Sequence, residues 1–449
     1  MSAEFPELIN AFLRAACVPR DAWHAQGTID RANAMLEDHP ELSAASIHTA
    51  AVLGDAEQVR HFLASDASLA TSRGGPYGWD ALTHLCFSNY LKFDEACSAG
   101  FAAAATALLD AGADVNTGWL EAEHEPRPEW ECALYGAAGV AHHPELTALL
   151  VARGADVNDG EVVYHTPETY DNRALQVLLD SGQLTMQSLT FMLIRKHDWH
   201  DLAGARMLLA AGADPNASGP MGLVPMFHAL ARDNALELFE LLLDHGADPT
   251  LTARGHSGFA AAARTGRSDV LQLLERRGFT PEFVGADRLV AAAARGDGRQ
   301  ARELVAREPG LVAELHQLGG DLLSHFARSN NAAGIEQLLD LGVDVAAPFT
   351  SGDGYFGTPK GSLAIHFGAW RGGPEVVRLL LERGSPADLP DPNGRTPLML
   401  AVRAAVDSYW TERRTTGSIE ALLAAGADAS RVSLPTGYPE ADLLLGERQ

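Results

Sequence analysis

The phrase LLDAGADVN at 108–116 is written again as LLVARGADVN, LLAAGADPN, LLLDHGADP and LLAAGADAS. A chain that repeats one phrase repeats one structural unit. The paired leucines close an apolar helical stripe, the glycine stands where a chain leaves a helix in the left-handed conformation, and Asp or Asn favours the turn that follows. These glycines are Gly112, Gly154, Gly212, Gly246 and Gly426, with weaker copies at Gly182, Gly278, Gly310, Gly342 and Gly384. In chain order they lie 42, 28, 30, 34, 32, 32, 32, 42 and 42 residues apart. A two-helix unit of about 33 residues cannot bury its own apolar face, so neighbouring units must stack into a continuous core.

The segments SIHTAAVLGD, DRLVAAAARGD, SLAIHFGAW and GRTPLMLAV place the first helix of each unit, and they resemble the T-P-L-H-x-A motif of ankyrin repeats. In the last of them Thr396, Pro397 and Leu398 match the motif, while Met399 stands where the family has His. The resemblance implies an all-α, ankyrin-type α-solenoid of about eleven helical pairs over residues 45–432, with a helical cap at 1–44 and a capping segment at 433–449. It also implies a structural role for His48 and His366, hydrogen-bonded to a neighbouring turn. His84 and His325 fall one residue past that position, where the motif assigns no duty.

Each separation of 42 implies an insertion of about nine residues. These fall at 117–131, 346–362 and 404–418, and a fourth irregularity at 88–100 lengthens an earlier unit. In the 28-residue unit Pro167 follows VVYHT and predicts a truncated first helix. The insertions are rich in aromatics: Tyr90, Phe93, Trp119, Trp130, Tyr355, Phe356, Tyr409 and Trp410. In a loop such residues either pack it onto the solenoid or build a recognition surface.

The 59 acidic and 34 basic residues give a formal charge of −25, which argues against nucleic acid and anionic membranes as partners. Cys17, Cys86, Cys97 and Cys132 form no CxxC pair, so neither a disulfide framework nor structural zinc is expected, and a cytoplasmic location fits. The first 20 residues space their apolar side chains as an amphipathic helix and not as a signal peptide. No window holds the roughly 20 consecutive apolar residues that a membrane span requires.

No Walker loop, nucleophile elbow, Rossmann glycine pattern or HExxH helix occurs. His197 and His200 in KHDWHD have the spacing of one helical face, but the stretch reads as an inter-helix turn, and no metal site or cofactor is expected. The reading is a non-enzymatic recognition scaffold that binds a protein or peptide in a concave groove. The ankyrin resemblance puts Trp79, Phe87 and Glu131 at groove-facing positions, and Trp79 and Phe87 are expected to face solvent. His84 and His165 join them as binding candidates, His165 because Pro167 opens a gap beside it, as do Trp130, His197, Tyr355, Tyr409 and Trp410. The alternative is an enzyme or small-molecule binder whose pocket lies between groove and insertions, drawing on residues such as His165, His197, Glu131 and Tyr355.

Overall fold

The computed structural model describes residues 4–20, 24, 26–94, 98–123, 128–371, 373–406 and 414–446. It divides into two units, Met1–Pro225 and Met226–Gln449. Tyr409, Trp410 and Cys97 lie outside the described residues.

In the first unit the helices Glu4–Ala16 and Asp30–Asp38 precede five helical pairs. These are Ile47–Val52 with Ala56–Ser65, Ala81–Cys86 with Ser98–Asp110, Ala133–Tyr135 with Pro144–Ala152, Gly160–His165 with Arg173–Asp180, and Met186–Asp198 with Leu202–Ala210. The second unit adds six: Pro225–Ala231 with Leu236–Asp244, Gly258–Arg264 with Ser268–Arg276, Asp287–Ala294 with Gly298–Arg307, Gly310–Arg328 with Ala332–Asp340, Ala364–Trp370 with Pro374–Glu382, and Pro397–Val406 with Gly417–Ala424. The first of these helices begins one residue before the division. Among the described residues the total is eleven pairs, as the ankyrin resemblance implies.

Most first helices have six or seven residues, too few to hold helical structure alone, so they persist through capping and stacking. Ser46 and Thr49 close a reciprocal capping box, and Asp80 accepts from the Thr83 backbone N–H at 2.9 Å. The apolar faces then meet: Leu82, Leu85, Phe101 and Leu108 in the first unit and Leu323, Phe326, Ile335 and Phe367 in the second are fully buried or nearly so. His48 Nε2 lies 3.1 Å from the Ser72 carbonyl oxygen. His366 accepts from Leu363 N–H at Nδ1 and so donates from Nε2 to the Leu389 carbonyl, each at 2.9 Å. Both histidines thus stitch a first helix to a following turn, as the motif implies.

Nine of the ten repeat glycines adopt positive φ, with Gly112 at 100° and Gly426 at 89°. Gly310 does not, and its assignment to the turn is corrected. It opens the 19-residue helix Gly310–Arg328, because Pro309 holds a helical φ of −59° and returns the chain to a helix at once.

In the second unit the insertion 346–362 turns inward. Phe349 and Phe356 are buried, and the guanidiniums of Arg328 and Arg371 lie 5.0 and 5.3 Å from the Phe356 ring centre. Buried Asp233 accepts from Arg371 at 2.5 Å and from Arg267 at 3.3 Å. Arg328 bonds Asp353 at 3.1 Å. Tyr355 is half-buried and lies under Arg232, 4.2 Å from ring centre to guanidinium.

Candidate functional site

The insertion 117–131 folds into an antiparallel hairpin, Gly118–Glu121 with Glu129–Cys132, in which Trp119 pairs with Glu131 and Leu120 with Trp130. Side chains alternate across a strand, so each cross-strand pair shares a face. Trp119 and Glu131 point inward at 4% and 1% exposure, and Leu120 and Trp130 point outward at 53% and 40%. Gly118 sets this register, since a Cβ there would sit 2.1 Å from the Glu131 carbonyl oxygen. Gly118→Ala is therefore expected to destabilise the chain by about 1–3 kcal/mol in urea denaturation and to quench the inward placement of Trp119.

An aromatic wall backs the hairpin. Trp79 stacks on Trp119 with ring centres 5.3 Å apart, and Phe87 lies within 6 Å of Trp79, Trp119 and Tyr135. The expected solvent exposure of Trp79 and Phe87 is corrected: they are 2% and 0% exposed. The inserted hairpin covers the positions that a regular repeat leaves open, and Trp119 supplies the covering ring. His84, also fully buried, packs edge-on to Trp79 at 5.3 Å and bonds the Asp80 carbonyl through Nδ1 at 2.9 Å.

Within this wall sits a polar cluster drawn from distant parts of the unit. His24, from the segment before the repeats, places Nδ1 2.9 Å from the Tyr135 hydroxyl and Nε2 3.8 Å from Glu121 Oε2. One ligand atom each from His24, Glu121 and Glu131 lies within 4.8 Å of the others. The truncated repeat supplies the second half. Its first helix ends at His165, two residues before Pro167, and the turn returns Glu168 to the imidazole. His165 Nδ1 lies 2.7 Å from Glu168, Nε2 lies 3.2 Å from Glu161, and its ring centre lies 5.0 Å from that of Tyr135. Arg195 pairs with Glu168 and Asp198 and covers the Tyr164 ring.

Burial and crowding shape the charges. Burial, then the nearby carboxylates of Glu161 and Glu121, pushes Glu131 up to about 9. Burial lowers His24 against the pull of Glu121. At His165 burial opposes the proton, yet hydrogen bonds donated by the imidazole to Glu161 and Glu168 outweigh it and the pKa rises. Glu168 is likewise raised by burial but brought below its ordinary value by His165 and Arg195. The Glu131 Oε2 and Trp119 Nε1 atoms are buried with no hydrogen-bond partner among the described residues.

Of the sequence candidates, Trp79, His84, Phe87, Glu131 and His165 gather in this region, and Trp130 occupies the outer face of the same hairpin. His197 is fully buried in the last turn of Met186–Asp198. His200 lies past the helix end at a φ of 53°, so the two imidazoles do not share a helical face. Tyr355 belongs to the second unit. Sequence reasoning missed His24, Glu121, Tyr135, Glu161 and Glu168. The i, i+4, i+7 spacing of Glu161, His165 and Glu168 was a usable signal, whereas His24 carries no repeat register at all.

No protein-family model matches the chain. It is 27% identical over 202 residues to human "SH3 and multiple ankyrin repeat domains protein 2", covering 44% of this chain and 10% of that protein. A "putative ankyrin repeat-containing protein" of Treponema pallidum is 34% identical over 107 residues, 24% of this chain and 28% of the relative. The chain thus spans less than a third of the length of either relative. Among solved structures, the ankyrin repeat domain of Bcl-3 aligns at 20% identity with a TM-score of 0.24, covering 51% of this chain and 97% of that one. No described helix is long and apolar enough to cross a membrane. Eleven helical pairs among the described residues, turning on left-handed glycines and with His48 and His366 bonded in the motif's own pattern, make the chain an ankyrin-type array of helical pairs, similar in sequence to relatives named for the same repeat.

Proposed function

We propose that the chain is a recognition scaffold that binds a protein or peptide along the groove formed by first helices and turn tips, with the outer face of the inserted hairpin as an anchor. The observation that carries this reading is the Leu120 and Trp130 pair. The two side chains are directly opposed across the strands, and both are exposed. An apolar pair with an aromatic member, raised on a hairpin whose inner face is fixed by Trp119 and Glu131, is a pre-organised contact of the kind that concentrates binding energy. The ankyrin relatives favour protein partners, and the surplus of carboxylates favours a partner segment with basic residues flanking an apolar anchor.

Selection of peptides from a random library against the immobilised chain tests the reading. An enriched peptide is expected to bind in solution, and Leu120→Ser with Trp130→Ser is expected to weaken it at least tenfold with an unchanged thermal midpoint. Failure to enrich any peptide, or equal affinity for the double variant, contradicts the proposal.

A further inference from the structure

The inner face of the same hairpin points to a different ligand. We propose that His24 Nε2 and the carboxylates of Glu121 and Glu131 form a binding site for one divalent transition-metal cation, with zinc the best fit. This goes beyond partner recognition and does not depend on it.

Three observations support the site. First, the geometry is close to what an ion needs. Oxygen and nitrogen ligands about 2.1 Å from a tetrahedral zinc stand roughly 3.4 Å apart, and His24 Nε2 is 3.8 Å from Glu121 Oε2, with all three ligand atoms within 4.8 Å. Side-chain adjustments of a fraction of an ångström to about one ångström close the set. Second, Glu131 is 1% exposed and its Oε2 has no hydrogen-bond partner among the described residues. A buried acceptor left open in this way costs free energy unless something fills it. Third, the imidazole is held for the task. Tyr135 meets His24 at Nδ1, so when Nδ1 carries the proton and donates to the hydroxyl, the Nε2 lone pair faces the carboxylates. Such an outer partner is the usual support of a ligating histidine.

The donor set selects the class of ion. Once binding has displaced the proton from Glu131, one imidazole and two carboxylates carry a charge of −2, which a divalent cation neutralises, and the nitrogen ligand favours zinc and its neighbours over calcium or magnesium. Three protein ligands leave a fourth position for water or an incoming group. The walls of Trp119 and Tyr135 restrict what can reach it.

The test uses the full-length chain stripped with a chelator, dialysed against zinc chloride and assayed for bound zinc by mass spectrometry. Affinity is measured by competition with a chromophoric chelator. One zinc per chain is expected. Glu131→Gln and His24→Gln should each lower affinity at least hundredfold, and Tyr135→Phe tenfold to hundredfold. No retained zinc, wild-type affinity in both ligand variants, or tighter binding of calcium than of zinc overturns the proposal. Cobalt loaded into the wild-type chain gives a readout independent of variant folding. Visible bands from nitrogen and oxygen ligands are expected, and a thiolate charge-transfer band, which would put the ion on a cysteine, overturns the assignment.

Discussion

Asp233→Asn is expected to lower the stability of the second unit by about 3–5 kcal/mol, because it removes the negative charge shared by two buried guanidiniums. Arg371 and Arg267 both reach this carboxylate, and all three side chains are at most 6% exposed. Asp233 sits at a φ of 54°, a conformation that Asn tolerates nearly as well as Asp, so backbone strain is not the cause of the loss. Arg267 retains Asp269, with bonds of 2.8 and 2.7 Å, and the Asn234 carbonyl at 2.7 Å. Arg371 loses the shorter of the two contacts with this carboxylate, at 2.5 Å against 3.3 Å for Arg267. Adding Arg371→Met should recover at least half of the deficit, since a buried charge without its partner is worse than no charge. Urea denaturation of the single and double variants checks both expectations. A loss below about 1 kcal/mol in the single variant would mean that water reaches the cluster.

The second large effect is a pH dependence at Glu131. Burial and the neighbouring carboxylates push the Glu131 carboxyl up to about 9 in the metal-free folded chain, against about 4.3 for an unfolded glutamate. Between those values the folded chain holds a proton that the unfolded chain releases, so this group's contribution is fully present below the unfolded pKa and is lost as pH rises through the folded one. Wild-type stability should fall from pH 5 to pH 8 relative to Glu131→Gln, by on the order of 3 kcal/mol. The variant should be the more stable form at pH 8 and show little advantage at pH 5. Thermal midpoints of both proteins across this range supply the comparison. Parallel profiles would show Glu131 ionised at neutral pH in the folded chain.

The repeats were legible because each one states its own geometry. A glycine in the left-handed conformation, a leucine pair before it and a histidine that reaches the next turn are local requirements, and the sequence meets them again and again. Gly310 escaped because the same Gly-after-helix pattern beside Pro309 serves a helix start. The inserted segments at 117–131 and 346–362 depart from the helical pairs, but the direction of their aromatic side chains was not readable. Trp119 and Trp130 look alike in sequence and face opposite ways, since strand pairing, which a four-residue segment does not announce, decides which face each takes. Trp79 and Phe87 occupy positions that an uninterrupted repeat exposes, and the hairpin inserted after them provides their cover. The buried cluster was half legible. His165 drew notice through Pro167, and Glu131 through its position in the motif, whereas His24 and Tyr135 reach the cluster only through tertiary packing.

Recognition as proposed requires a partner on the outward face of the hairpin, at Leu120 and Trp130. Amide hydrogen–deuterium exchange of the full chain, with and without a peptide obtained by selection, tests it most directly. The peptide is expected to slow exchange in Gly118–Glu121 and Glu129–Cys132, and Leu120→Ser with Trp130→Ser to abolish this protection. Protection confined to other segments, with exchange in the hairpin unchanged, would contradict it.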